Sequence, residues 1–221
     1  MEPREHAPNA TSRDVVYREL FNRILLGKFG GEARLKENEL AAEFAVSRGP
    51  VREALRELAQ DGLVEITAHR GAVVLPFTAD DIEDIFGLRK VLELYALEYS
   101  IWSISLQGLA EARLRIQNAS DTNPDPEELT DNDEALHGSI ALASRKRRLL
   151  MSLDRMNRLL RPFRLMTLKR PDIAIRQKAE HLALIDALFA RDLAAAKEIL
   201  QKHIEFGKVS VLSSLVQDHY L

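Results

Sequence analysis

The stretch from Leu40 to Leu58 reads LAAEFAVSRGPVREALREL and contains two short amphipathic segments. In the second segment, apolar residues recur at i, i+3, i+4 and i+7, the spacing of one helix face: Val51, Ala54, Leu55 and Leu58. The opposite face carries an arginine at every fourth position: Arg48, Arg52 and Arg56. This pattern predicts an α-helix that packs with one side and offers the other to an anion.

The turn between the two segments is only three residues long, from Ala45 to Ser47. We expect Ser47 to cap the second helix and Pro50 to lie in its first turn, where a missing N–H costs nothing. A short turn of this kind predicts a helix-turn-helix, whose second helix enters the major groove of DNA. Arginine suits guanine edges and phosphates alike. The alternative is an ordinary helical hairpin with a solvated, charged face.

A β-hairpin is predicted directly after the second helix. Gly62 ends the helix, and residues 63–67 and 72–75 read as two strands around a basic tip. Such a hairpin is a wing. From about residue 15 to residue 75, and most clearly in the segment SRGPVREAL at 47–55, the chain resembles the winged helix-turn-helix of the GntR family of bacterial transcription regulators.

The resemblance implies that the start of the second helix and the tip of the wing contact operator DNA. Carried over residue by residue, it assigns this role to eight positions: Asn38, Ser47, Arg48, Gly49, Arg52, His69, Arg70 and Gly71. Net charge adds no support, because residues 1–76 hold 11 Lys and Arg against 12 Asp and Glu. Binding should therefore depend on where individual arginines lie and on a dimer that presents two sites.

The composition limits the classes of protein to which this chain can belong. The 221 residues leave room for two domains, and the absence of cysteine excludes disulfides and thiolate metal sites. No apolar run approaches the roughly 20 residues that span a bilayer, and the N-terminus lacks the apolar core of a signal peptide. We therefore expect a cytoplasmic protein without a membrane partner.

The domain organisation follows from where proline, glycine and strand patterns stop. We expect a disordered lead over 1–12, the winged domain over 13–76 and an all-helical domain over 77–221. The fold class is thus mainly α, with a winged helix-turn-helix followed by a helical bundle. The helices are expected at about 79–104, 106–119, 126–144, 146–168, 172–190 and 192–216.

A metal site is predicted in the helical domain. Asp133 and His137 are four residues apart and share one helix face. His181 and His203 are equidistant from the turn at 191–192, so they should lie level across a helical hairpin, about 16 Å from that turn. Together the four residues suit a divalent ion, with zinc first and nickel or manganese as alternatives. The alternative is a simple helix pair with hydrogen-bonded histidines.

Arg89 lies on the buried stripe of the first helix of this domain. A buried arginine needs an anionic partner. One possibility is a salt bridge to an acidic side chain, such as Glu93 of a dimer mate or a neighbouring helix, or simple snorkelling of the guanidinium at a rim. The other is the carboxylate of a small effector, which the guanidinium fork fits well.

The helical domain is similar to the C-terminal effector-binding domain (FCD) of the FadR-type branch of the same family. The similar segments are DEALH at 133–137, EHLALI at 180–185 and KHI at 202–204. In that branch an Asp-x-x-x-His pair and two later histidines hold a divalent metal at the floor of a ligand cavity. The basic run RKRR at 145–148 departs from the family pattern, which leaves the identity of the ligand open.

These observations predict a bacterial transcription regulator rather than an enzyme. We expect a homodimer on a pseudo-palindromic operator in double-stranded DNA, with a small carboxylic acid bound at the metal and at Arg89. Repression follows only from the family resemblance. The alternatives are a metal-dependent enzyme with an accessory winged domain, or a regulator that senses the metal itself. No general acid or base stands out beside the proposed ligands, which argues against the enzyme.

Overall fold

The computed structural model describes residues 11–29, 32–67 and 71–217. The chain divides into two compact units that meet between Thr78 and Ala79. In its described part, the first unit contains three helices and three strands: α1 (Ser12–Leu25), β1 (Arg34–Leu35), α2 (Glu37–Glu43), α3 (Arg48–Gln60), β2 (Val64–Thr67) and β3 (Gly71–Val74).

Helix α1 begins at Ser12 because Thr11 caps it. The Thr11 hydroxyl accepts a hydrogen bond from the Asp14 N–H at 3.3 Å, and the Asp14 carboxylate accepts one from the Thr11 N–H at 3.0 Å. The prediction that placed Ser12 in a disordered lead is therefore wrong at that residue. Residues 1–10 of the predicted lead lie outside the described residues.

Helices α2 and α3 form the predicted helix-turn-helix. The apolar face of α3 packs against α1 and is buried at all four predicted positions: Val51, Ala54, Leu55 and Leu58. The chain turns between the helices at Ala45, whose φ is 52°. Ser47 occupies the N-cap position of α3, but its side chain makes no capping hydrogen bond, so that detail of the prediction is wrong.

The wing belongs to a three-stranded antiparallel sheet with the order β1-β3-β2. Strands β2 and β3 form the predicted hairpin, with Val64 opposite Val74. Strand β1 was not predicted, because two residues show no periodicity. Gly71 has φ 85°, and a Cβ there would lie 2.6 Å from the carbonyl oxygen of Leu35. Only glycine lets β3 approach β1 this closely.

The second unit is helical over its described residues, and the mainly α fold class is confirmed. Its helices are α4 (Ala79–Ser100), α5 (Leu106–Asn118), α6 (Pro126–Ala143), α7 (Arg147–Thr167), α8 (Pro171–Phe189) and α9 (Leu193–Gln217). Helix α4 packs against α6, α7 and α9, and α8 pairs with α9. In the described part of the chain, none of the helices is both long and apolar enough to cross a lipid bilayer.

Capping interactions fix where these helices begin and end. Asp125 accepts a hydrogen bond from the Glu127 N–H at 3.0 Å at the start of α6. Helix α4 stops at Ser100, four residues earlier than predicted, and the Arg191 guanidinium donates to the carbonyl of Ile101 just beyond that end. The predicted turn at Arg191 and Asp192 is confirmed, and it sets α8 and α9 side by side.

Candidate nucleic-acid interface and candidate metal centre

The first unit presents a concave, cationic surface on the outer side of α3. Its volume is about 770 Å³, and helices α2 and α3 and the sheet line it. Five cations lie along its walls: Arg34, Lys36, Arg48, Arg52 and Arg56. The concave surface is wide and polar, which suits an extended anion better than a small apolar ligand.

Glu37, in the first turn of α2, holds two of these arginines. Its carboxylate accepts hydrogen bonds from Arg52 Nε at 3.0 Å and Arg52 Nη2 at 2.9 Å, and Arg48 Nη2 lies 3.4 Å away. The hydrogen bonds from Arg52 are the main cause that lowers the pKa of Glu37. Both arginines remain exposed, so the ion pairs are weak and can exchange for another anion.

Four of the eight predicted DNA-contact positions line the concave surface. Asn38, Arg48, Arg52 and Gly71 line the concave surface. Ser47 and Gly49 are exposed at the start of α3 without lining it, and His69 and Arg70 lie outside the described residues. The prediction missed Arg34, Lys36 and Glu37, because their role depends on how β1 and α2 pack beside α3 rather than on a local pattern.

Four buried side chains converge in the second unit: Asp133 and His137 from α6, His181 from α8 and His203 from α9. The Nε2 atoms of His181 and His203 are 3.2 Å apart, which confirms that these histidines lie level across the hairpin. Asp133 Oδ1 lies 3.2 Å from the Nε2 atom of His181 and 3.5 Å from those of His137 and His203. All four potential ligand atoms lie within 4.8 Å of one another.

These separations fit a divalent metal. Ligand atoms about 2.0–2.1 Å from a tetrahedral zinc ion lie about 3.3–3.4 Å from each other. The separations between Asp133 Oδ1 and the three Nε2 atoms run from 3.2 to 3.5 Å. Three imidazole nitrogens and one carboxylate oxygen are also a donor set that zinc, nickel and manganese accept.

Two carboxylates orient the histidine rings from behind. Glu93 Oε2 lies 2.5 Å from His137 Nδ1, and Glu180 Oε2 lies 3.0 Å from His203 Nδ1. Burial favours the neutral form of Glu93, but Arg89 and His137 outweigh it and lower the pKa of Glu93 to about 2. Because an ionised carboxylate only accepts hydrogen bonds, Nδ1 must donate, and a neutral ring then presents a lone pair at Nε2.

The facing lone pairs require a positive charge between them. The Nε2 atoms of His137 and His203 are 3.2 Å apart, so two neutral rings held in this way would direct lone pairs at each other. Burial lowers the pKa of His203, but hydrogen bonds to Asp133 and Glu180 outweigh it and raise that pKa. Burial, followed by repulsion from His203, lowers the pKa of His181 to about 4. A divalent ion between the rings would supply that positive charge.

The second oxygen of Asp133 faces two buried arginines. Arg164 Nη1 lies 3.3 Å and Arg89 Nη2 lies 3.8 Å from Asp133 Oδ2. Burial would raise the pKa of Asp133, but Arg164 and His137 outweigh it and hold that pKa well below its ordinary value. Asp133 is therefore charged, with one oxygen turned to the histidines and one to the arginines.

Arg89 has the anionic partner that its burial demands. Its Nε donates to Glu93, four residues further along the same helix, and its Nη2 lies 3.8 Å from Asp133 Oδ2 on α6, so the expected salt bridge to a neighbouring helix is present as well. Arg89 is not among the residues that line the cavity beside the metal cluster. Its predicted contact with an effector stays a prediction.

A cavity of about 140 Å³ borders the cluster between α4, α6 and α7. Glu93 and His137 form the wall on the side of the cluster. The remaining walls combine apolar residues, two cations, an amide and two carboxylates: Gly138, Ala141, Leu150, Leu153, Asn157, Arg158, Arg161, Glu134 and Asp154. Arg158 pairs with Asp154 and Arg161 with Glu134, so a small molecule with an apolar part and an anionic group would have to exchange with one of these carboxylates.

Each of the two units matches a known protein family. The family described as "Bacterial regulatory proteins, gntR family" matches residues 12–74, and the FCD domain family matches residues 84–206. The uncharacterized HTH-type transcriptional regulator BphR of Paraburkholderia xenovorans is 32% identical over 215 residues, which cover 90% of this chain and 84% of that protein. The HTH-type transcriptional repressor GlaR of Escherichia coli is 27% identical, over 85% of this chain and 90% of that protein.

A solved structure supports the same fold. A putative transcriptional regulator GntR from Rhodococcus sp. RHA1 matches with a TM-score of 0.65 and 26% identity. The match covers 92% of this chain and 99% of that chain. The winged unit and the helical unit therefore occur together in one chain in that regulator too.

Proposed function

Because the chain belongs to the GntR family of bacterial regulatory proteins and carries an FCD domain, we propose that it is a metal-dependent, acid-responsive repressor. It is a DNA-binding transcription regulator, and the proposal concerns what controls its binding to DNA. The observation that carries the proposal is the convergence of Asp133 and three histidine Nε2 atoms beside a 140 Å³ cavity.

The DNA-binding part of the proposal assigns base and phosphate contacts to the concave, cationic surface. Arg48, Gly49 and Arg52 would contact base edges, Asn38 and Ser47 the backbone, and the wing would add His69, Arg70 and Gly71. A homodimer would place two such surfaces on a pseudo-palindromic operator. Repression is proposed because relatives such as GlaR and the gluconate operon transcriptional repressor of Bacillus subtilis are named repressors.

The metal part assigns four ligands: Asp133, His137, His181 and His203. Zinc is the first choice, and nickel or manganese are alternatives that accept the same donors. When bound, the metal would supply a Lewis-acidic anchor for a carboxylate oxygen. Glu93 and Glu180 would fix the orientation of two histidine rings, and Arg89 and Arg164 would keep Asp133 ionised.

The effector part is limited by the size of the cavity. A volume of about 140 Å³ is well below the roughly 300–1,000 Å³ of pockets for drug-sized ligands, so an acid of only a few carbons fits. Arg158 and Arg161 line the cavity and would exchange their ion pairs with Asp154 and Glu134 for the carboxylate of the acid, while Leu150 and Leu153 would cover a short apolar chain. Arg89 stays a further candidate for the carboxylate.

Two alternatives to this function are a metal-dependent enzyme and a regulator that senses the metal itself. The relatives and the solved neighbours are transcription regulators, so the chain is not assigned an enzymatic activity. A regulator that senses the metal itself uses the same four ligands. That alternative predicts a DNA affinity that follows metal occupancy in the absence of any acid.

The test is the elemental content of the unchelated protein, combined with thermal unfolding in a panel of small carboxylic acids. We expect one metal per chain and an acid that raises the unfolding temperature only of the metal-loaded protein. His181→Ala should lose the metal and the response to the acid yet keep its affinity for DNA. A protein that neither contains metal nor binds added zinc or nickel would contradict the proposal.

A further inference from the structure

The three histidines of the metal cluster are not supported in the same way. Glu93 lies 2.5 Å from His137 Nδ1, and Glu180 lies 3.0 Å from His203 Nδ1. His181 also turns its Nε2 atom to the cluster, 3.2 Å from that of His203. Within the described part of the chain, however, the Nδ1 atom of His181 takes part in no hydrogen bond. The third ring therefore needs a partner of another kind behind it.

A cavity of about 10 Å³ lies beside His181, between α5, α6 and α8. Its polar lining consists of Asn132 from α6 and of Gln177, Lys178 and His181 from α8, and apolar side chains complete it. The cavity of about 140 Å³ shares none of these residues. A space of this size matches one water molecule.

Two buried amides line the same cavity. Asn132 is 8% exposed, and its Nδ2 atom has no hydrogen-bond partner among the described residues. Gln177 is also 8% exposed, and its side chain forms no hydrogen bond to a described residue. Gln177 lies four residues before His181 and therefore on the same face of α8. Because a buried amide without a partner is costly, both amides should have one.

Lys178 lines the cavity but cannot be that partner. Its ammonium donates to the carbonyls of Gln117 and Ala119 at 3.1 and 2.7 Å and to the Asp121 carboxylate at 2.8 Å. An ammonium has three donors, so all three are engaged. What Lys178 contributes to the cavity is its positive charge.

We propose that one water molecule in this cavity accepts a hydrogen bond from His181 Nδ1 and that Asn132 and Gln177 hold it there. The inference rests on the metal ligands of the proposed function. The water accepts a second hydrogen bond from the Asn132 amide and donates one to the amide oxygen of Gln177. This gives it about three hydrogen bonds, the usual number for a buried water. Asn132 and Gln177 are then positioning residues, which act on the metal only through His181.

A water supports a histidine ring differently from a carboxylate. Both accept the Nδ1 proton, and both thereby fix the tautomer whose lone pair is at Nε2. Only a carboxylate also raises the basicity of the ring. His181 is then the weakest donor among the three histidines, and the cluster binds its metal less tightly than three carboxylate-supported rings would.

The test is the zinc affinity of two variants at one position, measured by competition with a chelating dye. Gln177→Glu keeps the shape of the side chain and puts a carboxylate behind His181, where the charge of Lys178 favours its ionised form. We expect this variant to bind zinc about tenfold more tightly than the wild type. Gln177→Met keeps the length of the side chain but cannot hold the water, and it should bind zinc about tenfold more weakly.

Gln201→Glu and Gln201→Met are the matched controls. Gln201 is exposed on α9, two residues before His203, and does not line the cavity. Because an exposed charge is screened by solvent and salt, zinc affinity should stay within about twofold of the wild type in both controls. Asn132→Leu tests the second amide and should weaken zinc binding as much as Gln177→Met does.

A proton spectrum of the cobalt-loaded protein gives a readout that a loss of packing alone would not reproduce. Cobalt(II) accepts the same ligands as zinc and shifts the Nδ1 protons of its histidine ligands away from the other resonances. We expect three such exchangeable resonances in the wild type, from His137, His181 and His203. Gln177→Glu and Gln177→Met should each move one of them and leave the other two in place.

The outcomes separate this inference from the proposed function. A wild-type protein that binds neither zinc nor cobalt would contradict both. Tighter binding by Gln177→Glu together with weaker binding by Gln177→Met would support the water-held ring. Any other order of the three affinities, or a cobalt spectrum that does not respond to Gln177, would overturn this inference alone.

The comparison does not depend on one variant. Circular dichroism of the metal-free variants should match that of the wild type. If Gln177→Met does not fold, the comparison of Gln177→Glu with the wild type decides, because a side chain with a merely structural role would not bind metal more tightly after this change.

Discussion

The pair Arg52–Glu37 in the winged unit and the pair Arg89–Glu93 in the helical unit join the same two residue types in opposite surroundings. The side chains of Arg52 and Glu37 are 48% and 24% exposed, whereas those of Arg89 and Glu93 are each 3% exposed. The first pair can open at little cost, because water replaces each partner. The second is fixed, because breaking it would leave two charges buried where water does not replace the lost partner.

This difference suits the two proposed roles. An exposed ion pair contributes about 0–1 kcal/mol, so Arg52 can leave Glu37 for DNA. The buried network around Asp133 and Arg89 instead holds the carboxylates and imidazoles where a metal needs them. The winged unit thus has charges that are ready to exchange partners, and the helical unit has charges that hold a site in place.

The largest expected effect is on the buried network. Asp133→Ala in the chelated protein removes an anion that faces Arg89 and Arg164. We expect the free energy of unfolding in urea to fall by about 3–5 kcal/mol, since an uncompensated charge then stays buried. The matched control is Asp131→Ala on the same helix, whose exposed carboxylate pairs with Arg161 and should contribute less than about 1 kcal/mol. Equal losses in the two variants would remove the contrast between buried and exposed pairs.

The second effect concerns the exposed pair and DNA. Arg52→Ala should weaken operator binding by about 1–3 kcal/mol, while metal content stays unchanged. Fluorescence anisotropy with an operator selected from random duplexes would measure it. Arg18→Ala is the control, because Arg18 is exposed on α1 and does not line the concave surface. Equal binding by Arg52→Ala and the wild type would rule out a DNA contact for Arg52.

The third effect concerns the carboxylates behind the histidines. Glu180→Gln keeps the shape of the side chain but removes the charge that orients His203. We expect metal affinity to fall by about 10–100-fold, measured by competition with a chelating dye. Glu198→Gln on α9 alters an exposed carboxylate paired with Lys202 and should leave metal affinity unchanged. A Glu180→Gln protein with wild-type affinity would show that His203 needs no partner.

The smallest effect tests how easily the exposed pair opens. Glu37→Gln removes the anion that competes with DNA for Arg48 and Arg52. We expect operator binding to tighten by about two- to fivefold, within the 0–1 kcal/mol range of exposed ion pairs. Because the pKa of Glu37 is lowered, its carboxylate stays ionised at neutral pH and the competition persists there. Glu43→Gln at the end of α2 is the control, and weaker binding by Glu37→Gln alone would mean that Glu37 positions the arginines for DNA.

How much of the structure could be predicted depends on how far apart in sequence the contacting residues lie. Helix α3 could be predicted from local periodicity. The level placement of His181 and His203 could be predicted from the position of one turn. Glu180 was missed although the same hairpin argument sets it level with residue 204, next to His203. Glu93 lies 44 residues before His137, and no local pattern relates the two. Strand β1 pairs with β3 through Arg34 opposite Val73 and Leu35 opposite Ala72, and its own two residues carry no periodic signal.

The most direct test of a metal-anchored effector site is operator binding by zinc-loaded and chelated protein, each with and without the acid that raises the unfolding temperature most. If the metal anchors the acid, the acid shifts the Kd for the operator by about 5–150-fold in the zinc-loaded protein, the range of a 1–3 kcal/mol coupling, and leaves the Kd of the chelated protein unchanged. An equal shift in both forms, or a shift in neither, would contradict a metal-anchored effector site.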